Sequence, residues 1–199
     1  MHDLACKEWA CVVRALLAGE QILDLRKGGI HEDGRHFGLR AERFWLYPTL
    51  EHQRAELLKP AYRHWVTDEL AEGVPSSRTV RIEGWAEVVG VTVTSEPEEL
   101  AHLDSKFIWT RDYVESRLNW KRRDPLWILA LRAHCLLEPL TVPWREDYGG
   151  CTSWVNVAGL PDPSSVPARP AVSEEALAAR IGNAARDLGR SFEAPPLEV

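Results

Sequence analysis

The sequence predicts an α+β domain built on a bent, mixed or mostly antiparallel sheet, or on a small barrel, with helices on its outside. Three observations carry this. Thr79 to Thr94 is one long strand-like stretch interrupted at Gly84 and Gly90, and glycines inside a strand mark bulges or sharp bends. Gln21 to Lys27 alternates and stops at Gly28-Gly29, as a half-buried strand closed by a turn does. Leu126 to Leu137 is apolar apart from Arg132 and His134, which suits a central strand.

The elements follow in order. Residues 3–18 have helical spacing, with Asp3 as N-cap, Leu4, Trp9, Val12, Val13, Leu16 and Leu17 on one stripe, and Gly19 after the last turn. The strand 21–27 comes next, then a polar, glycine-rich loop to Gly38. Arg43 to Tyr47 reads as a strand stopped by Pro48, and Thr49 as the cap of a helix to Leu58. Pro60 starts a further helix to Ala71, and Gly73 to Ser77 is a loop. After the long strand come short helices at 97–103 and 112–120, the strand at 126–137, and a last strand at 151–157. Three parts result: a globular domain over 1–158, a proline-rich linker over 159–172, and a C-terminal helix and tail over 173–199, fraying at its end. The helix at 174–189 carries Leu177, Ile181, Ala184 and Leu188 on one stripe, a surface for a partner protein.

Hydrophobic residues make up 45% of the 199-residue chain and charged ones 27%, so one ordinary core is expected rather than disorder. The formal net charge of −6 argues against a protein that coats DNA nonspecifically, so any nucleic-acid site is a local basic patch. No apolar run is long enough for a membrane span. Asp3, Lys7 and Glu8 interrupt the first apolar stretch, unlike a secretory leader, and a cytoplasmic location with reduced thiols is expected.

Two loops carry candidate binding chemistry. In Arg26-Lys27-Gly28-Gly29, two cations lead into two glycines. Glycines let a backbone approach a phosphate or base, and the cations hold an anion; the alternative is a hairpin turn with solvated charges. In Tyr47-Pro48-Thr49-Leu50-Glu51-His52-Gln53, His52 and Gln53 open a helix after a strand, where they can contact a base edge; the alternative is a capped helix with surface polar groups. Of nine tryptophans, Trp120 and Trp154 have cationic or polar neighbours and are the candidates for base stacking, core packing being the competing role. Asp24, Lys27 and His52 are the acid–base candidates if a reaction occurs. Cys6, Cys11, Cys135 and Cys151 form no C-x-x-C, and neither a metal nor a cofactor is expected. The single D-x-K, Asp104-Ser105-Lys106, is at chance frequency.

Lys7-Glu8-Trp9-Ala10, Leu25-Arg26-Lys27-Gly28-Gly29-Ile30, Pro48-Thr49-x-x-His52-Gln53, Ile108-Trp109-Thr110 and Gly150-Cys151-x-Ser153-Trp154-Val155 together resemble the bacterial family catalogued as domain of unknown function 1802, over about residues 4–157. That resemblance implies no established activity, and an association with restriction–modification or defence. Gly19-x-Gln21-x-x-Asp24-x-Arg26 is also similar to the G-x-K-x-x-E-x-R signature of the ASCH group of PUA-like barrels, which implies a barrel that binds RNA or reads modified bases. Gln21 stands where the ASCH amidohydrolases have a catalytic lysine, and Asp24 replaces a glutamate, so the resemblance does not extend to that activity. The functional expectation is a nucleic-acid-binding, modified-base-reading module. The alternatives are a hydrolase acting on nucleic acid or nucleotides and a noncatalytic partner protein.

Overall fold

The computed structural model describes residues 3–27, 39–66, 78–120, 125–150 and 152–196. Its elements are β1 (Leu4–Trp9), α1 (Ala10–Leu17), β2 (Leu23–Lys27), β3 (Arg43–Thr49), β4 (Thr79–Thr94), α2 (Pro97–His102), α3 (Arg111–Asn119), β5 (Leu126–Pro143), β6 (Trp154–Asn156), β7 (Ala168–Pro170) and α4 (Glu174–Leu188). The hydrogen-bonded order is β2-β5-β4-β3-β1-β6, with β7 also on β5. β1 and β3 run parallel; every other pair of these strands is antiparallel. This is the α+β arrangement the sequence predicts, a mixed and mostly antiparallel sheet with flanking helices.

The long strand is where the sequence puts it, Thr79–Thr94, and its pairing with β5 slips between Ile82 and Gly84 and again between Val88 and Gly90. Both glycines are steric requirements. A Cβ on Gly84 would lie 2.4 Å from the His134 carbonyl oxygen and 2.4 Å from Leu17 Cδ2; one on Gly90 would lie 2.9 Å from Phe192 Cβ. The slips bend β4, and a bulged strand twists more strongly than a regular one.

Several expectations are corrected. Residues 4–9 are a strand, not the first half of a helix. Leu4, Ala5 and Cys6 pair with β6 and β3 or both and are all buried. A strand covered on both faces shows no alternation, so its apolar run imitates a helix stripe. No helix follows Thr49. β3 runs through Pro48, which is tolerated because β4 pairs with β3 only as far as Trp45, leaving one side of the later residues without a partner in β4. His52 then takes φ 63°, which breaks a helix, and only a 3-10 turn forms at Ala55–Leu57. Leu58 instead bridges Trp109. Past Pro60 there is a 3-10 turn and a helical turn at 63–66; 67–71 lie outside the described residues.

The C-terminal part folds back. β7 pairs with β5 at His134–Leu136, and α4, capped by Ser173, buries Leu177, Ala184 and Leu188 in the main core. That stripe is used within the chain and is not open to a partner protein. The start of the tail is tied to β4: Val91 and Glu193 exchange backbone hydrogen bonds of 2.9 and 2.8 Å. The main core lies inside the curl of the sheet, around Phe44, Leu46, Leu16 and Ile128; a smaller one on the outer face holds Trp45, Tyr47, Trp85 and Val155 under Tyr148 and Leu160. No helix among the described residues is long and apolar enough to cross a membrane.

Candidate functional site

β2 and β1 are four steps apart in the sheet order, yet their side chains touch. The sheet must therefore curl until its β2 edge faces β1. Cys6 and Glu8 share one face of β1, and Asp24 and Arg26 one face of β2, because strand side chains alternate. The two faces meet at Arg26. Its Nε donates to Asp24 Oδ2 at 2.7 Å, and its Nη2 lies 2.9 Å from Glu8 Oε2 and 3.0 Å from Cys6 Sγ. Asp24 Oδ1 also accepts the Leu25 N–H, and Glu8 Oε1 accepts the Trp9 N–H at 2.8 Å.

Two carboxylates thus share one buried guanidinium. Burial pushes the Glu8 carboxyl above its usual range, the positive charge of Arg26 opposes this, and Asp24 adds to the rise. Burial works against the Arg26 charge, but the carboxylates Asp24 and Glu8 outweigh it and hold the guanidinium ionised. The Cys6 thiol is pushed up to about 12, chiefly by burial, with Arg26 pulling the other way, so it stands as a neutral thiol.

α3 closes this end of the sheet. Thr110 caps it by accepting the Tyr113 N–H at 3.3 Å. The Tyr113 ring lies 5.0 Å from Trp9 and 5.7 Å from Trp109. Burial raises the phenol pKa, and the charges of Arg117, Glu8, Asp24 and Arg26 act on it as well. Four residues further on, the Arg117 guanidinium stands 5.5 Å from the Trp120 ring, and Trp120 is 52% exposed.

The other expected site residues divide. Lys27 is buried at the end of β2 and engaged; Gly28 and Gly29 lie outside the described residues. Pro48 and Thr49 pair with Glu8 and Trp9, so the turn carrying His52 and Gln53 begins at the same end of the sheet. His52 is exposed there. Gln53 is buried, and its Oε1 accepts the Cys11 N–H at the start of α1 at 3.5 Å, which ties the turn down rather than presenting it. Trp154 pairs with Cys6 in register and is sealed inside, edge-on to Phe44 at 4.9 Å, with an indole N–H that has no partner among the described residues. Gln21 is also sealed: it donates to the Leu23 carbonyl and accepts the Ile108 N–H, pinning β2 to the segment before α3. Among the described residues no group of three or more His, Cys, Asp or Glu is placed to hold a metal ion.

Glu8, Tyr113 and Arg117 are the site residues that sequence reasoning missed. One signal was present: a glutamate in an apolar run that is buried on both faces needs a buried cation, and Arg26 is the arginine of the other strand interrupted by charge.

A family model described as Domain of unknown function (DUF1802) matches residues 5–182. No curated protein matches. Among solved structures, ASCH from Zymomonas mobilis is 13% identical, covering 79% of this chain and 89% of that chain, with a TM-score of 0.41. Two single-residue mutants of that protein are each 10% identical, with TM-scores of 0.41 and 0.39 and coverage of 79% and 80% of this chain and 89% and 92% of theirs. That likeness is too distant to carry a function.

Proposed function

The chain belongs to the family described as Domain of unknown function (DUF1802), and on that footing we propose that it is a nucleic-acid-binding module that reads single-stranded or extruded bases. The observation that carries this is the exposed Trp120 with Arg117 beside its ring, at the end of the helix whose Tyr113 packs on Trp9, the residue after Glu8. A flat, open indole next to a cation offers a base its face and a phosphate its counter-charge. Lys121, Arg122 and Arg123 follow directly in the sequence and add basic charge to an otherwise acidic chain. Arg26, with its charge spent on two carboxylates, is a base-edge residue in this reading and not a phosphate clamp.

A role beside a restriction–modification or defence system, in the cytoplasm, belongs to the same proposal, because such a system must tell modified bases from unmodified ones. The alternative, a hydrolase acting on nucleic acid or nucleotides, is favoured by one observation: the carboxyl of Glu8 is raised beside the Arg26 guanidinium, which suits it to proton transfer.

The test is titration with short single-stranded oligonucleotides across a salt series. Affinity should fall steeply with salt, and Trp120→Ala should weaken it by about 1–3 kcal/mol, the cost of one lost stacking partner. Salt-independent affinity unaffected by Trp120→Ala would sink the reading, and steady turnover of the oligonucleotide would favour the hydrolase.

A further inference from the structure

The Arg117–Trp120 pair has a counterpart on α1. Arg14 is exposed there, and its guanidinium stands 4.7 Å from the centre of the half-buried Trp65 ring. Arg63 and His64, both exposed, come directly before Trp65, and the Tyr62 ring meets the indole at a steep angle with centroids 5.1 Å apart. Glu20, an acid at the end of α1, accepts the Tyr62 hydroxyl at 3.1 Å. On a chain of net charge −6 this is a local basic patch around an aromatic ring, the combination that holds single strands. Guanidinium planes take stacked bases as aromatic rings do, so an arginine held over an indole is a stacking surface that also carries counter-charge for a phosphate.

The two pairs sit on one connected surface. The Lys59 N–H donates to the Ile108 carbonyl at 2.9 Å and the Thr110 N–H to the Leu57 carbonyl at 2.8 Å, so the segment carrying Trp65 is bonded to the segment that opens α3. Trp9, at the start of α1, packs on Tyr113 of α3 at 5.0 Å. From that contact Arg14 lies about 8 Å further along α1, and Trp120 about 10 Å further along α3, by helix rise. One extruded base has one ring to stack and fills one such platform. Two platforms take two bases of the same strand.

We propose that Arg14 and Trp65 form a second stacking platform, and that the ligand of this surface is an extended single strand lying across α1 and α3 and filling both platforms. This rests on the nucleic-acid-binding reading above and names its substrate class: a single strand, not one base extruded from a duplex. Arg14 and Arg117 then each face a phosphate of the strand whose bases stack beside them.

The experiment uses the full chain, a fluorescently labelled thymidine tract of about 16 nucleotides, at the upper end of single-strand site sizes, and a duplex with one unpaired thymidine as competitor. Trp65→Ala should weaken binding of the tract about tenfold, the loss of one stacked base. Arg14→Gln, a change at an exposed side chain, should weaken it as well and lower the salt slope by about one. Trp144→Ala removes an exposed indole just past the other end of β5 and should change nothing. The duplex should compete at least about tenfold more weakly than unlabelled tract, since it offers one base to two platforms. If Trp65→Ala does not fold, Arg14→Gln still reads the platform. Unchanged affinity in the Arg14 and Trp65 variants, with a loss in Trp120→Ala, overturns the second platform and leaves the nucleic-acid reading standing. Equal competition by the duplex overturns the choice of a single strand. Absence of binding to tract and duplex alike overturns both readings.

Discussion

Arg26 on β2 and Glu8 on β1 form an ion pair of 2.9 Å across the inside of a sheet in which their strands are four steps apart. The contact measures the curl of the sheet, and it fixes the ends of two strands that share no backbone hydrogen bond.

Removing Arg26 should therefore be severe. Arg26→Met leaves Asp24 and Glu8 buried without their cation, and breaking a buried pair on one side costs about 3–5 kcal/mol. Urea unfolding of the variant and of the double variant with Glu8→Gln checks this. The double variant should recover part of the loss, since one stranded charge is gone.

A second arginine–carboxylate group lies on the sheet's outside. Glu87 Oε2 accepts from Arg132 at 2.7 Å and Oε1 from Arg43 at 3.1 Å. Burial alone would raise the Glu87 carboxyl, but the hydrogen bonds from Arg132 and Arg43 outweigh it and hold it below the usual range. A group whose folded pKa is depressed stabilises the fold above its unfolded pKa and loses that contribution as pH falls through the folded one. Glu87→Gln should cost about 1–2 kcal/mol at neutral pH, and the two stability curves should converge in acid. Parallel curves across the whole range would contradict this.

Gly84 is held by a steric contact on both sides, with His134 and Leu17 each 2.4 Å from where a Cβ would sit. Gly84→Ala must push β5 or α1 away and should destabilise by about 1–3 kcal/mol, read as a lower melting temperature. Gly90→Ala meets the tail residues Phe192 and Glu193, so its effect should be concentrated in the tail: faster proteolysis after Gly189, with the rest of the domain intact.

Leu177→Ala and Leu188→Ala should each lower stability by about 2–5 kcal/mol, because both side chains are buried in the main core. Truncation after Ala158 removes β7 from β5 and α4 from that core. The shortened chain should lose its cooperative unfolding transition. A truncated chain that unfolds cooperatively at the full-length temperature would show that α4 is dispensable.

Much of the architecture was legible along the chain. The extent of β4, the bends at Gly84 and Gly90, the short helices α2 and α3, and the Ser173-capped α4 follow from period, turn chemistry and capping, which are local. The strand at 4–9 and the turn at His52 were not legible, since full burial on both faces erases alternation and a single left-handed residue overrides helix propensity.

The sequence by itself determined which residue types were available: a carboxylate in a buried strand, an arginine in another, an indole beside cations. Only the tertiary structure decided their partners. It turned Arg26 from an exposed cation into the centre of a neutralised cluster, sealed Trp154 inside and left Trp120 out. The physical reason is that burial and charge pairing depend on how far the sheet curls, and that curl comes from slips in pairing between β4 and β5 and from contacts between strands distant in sequence, which no local pattern encodes.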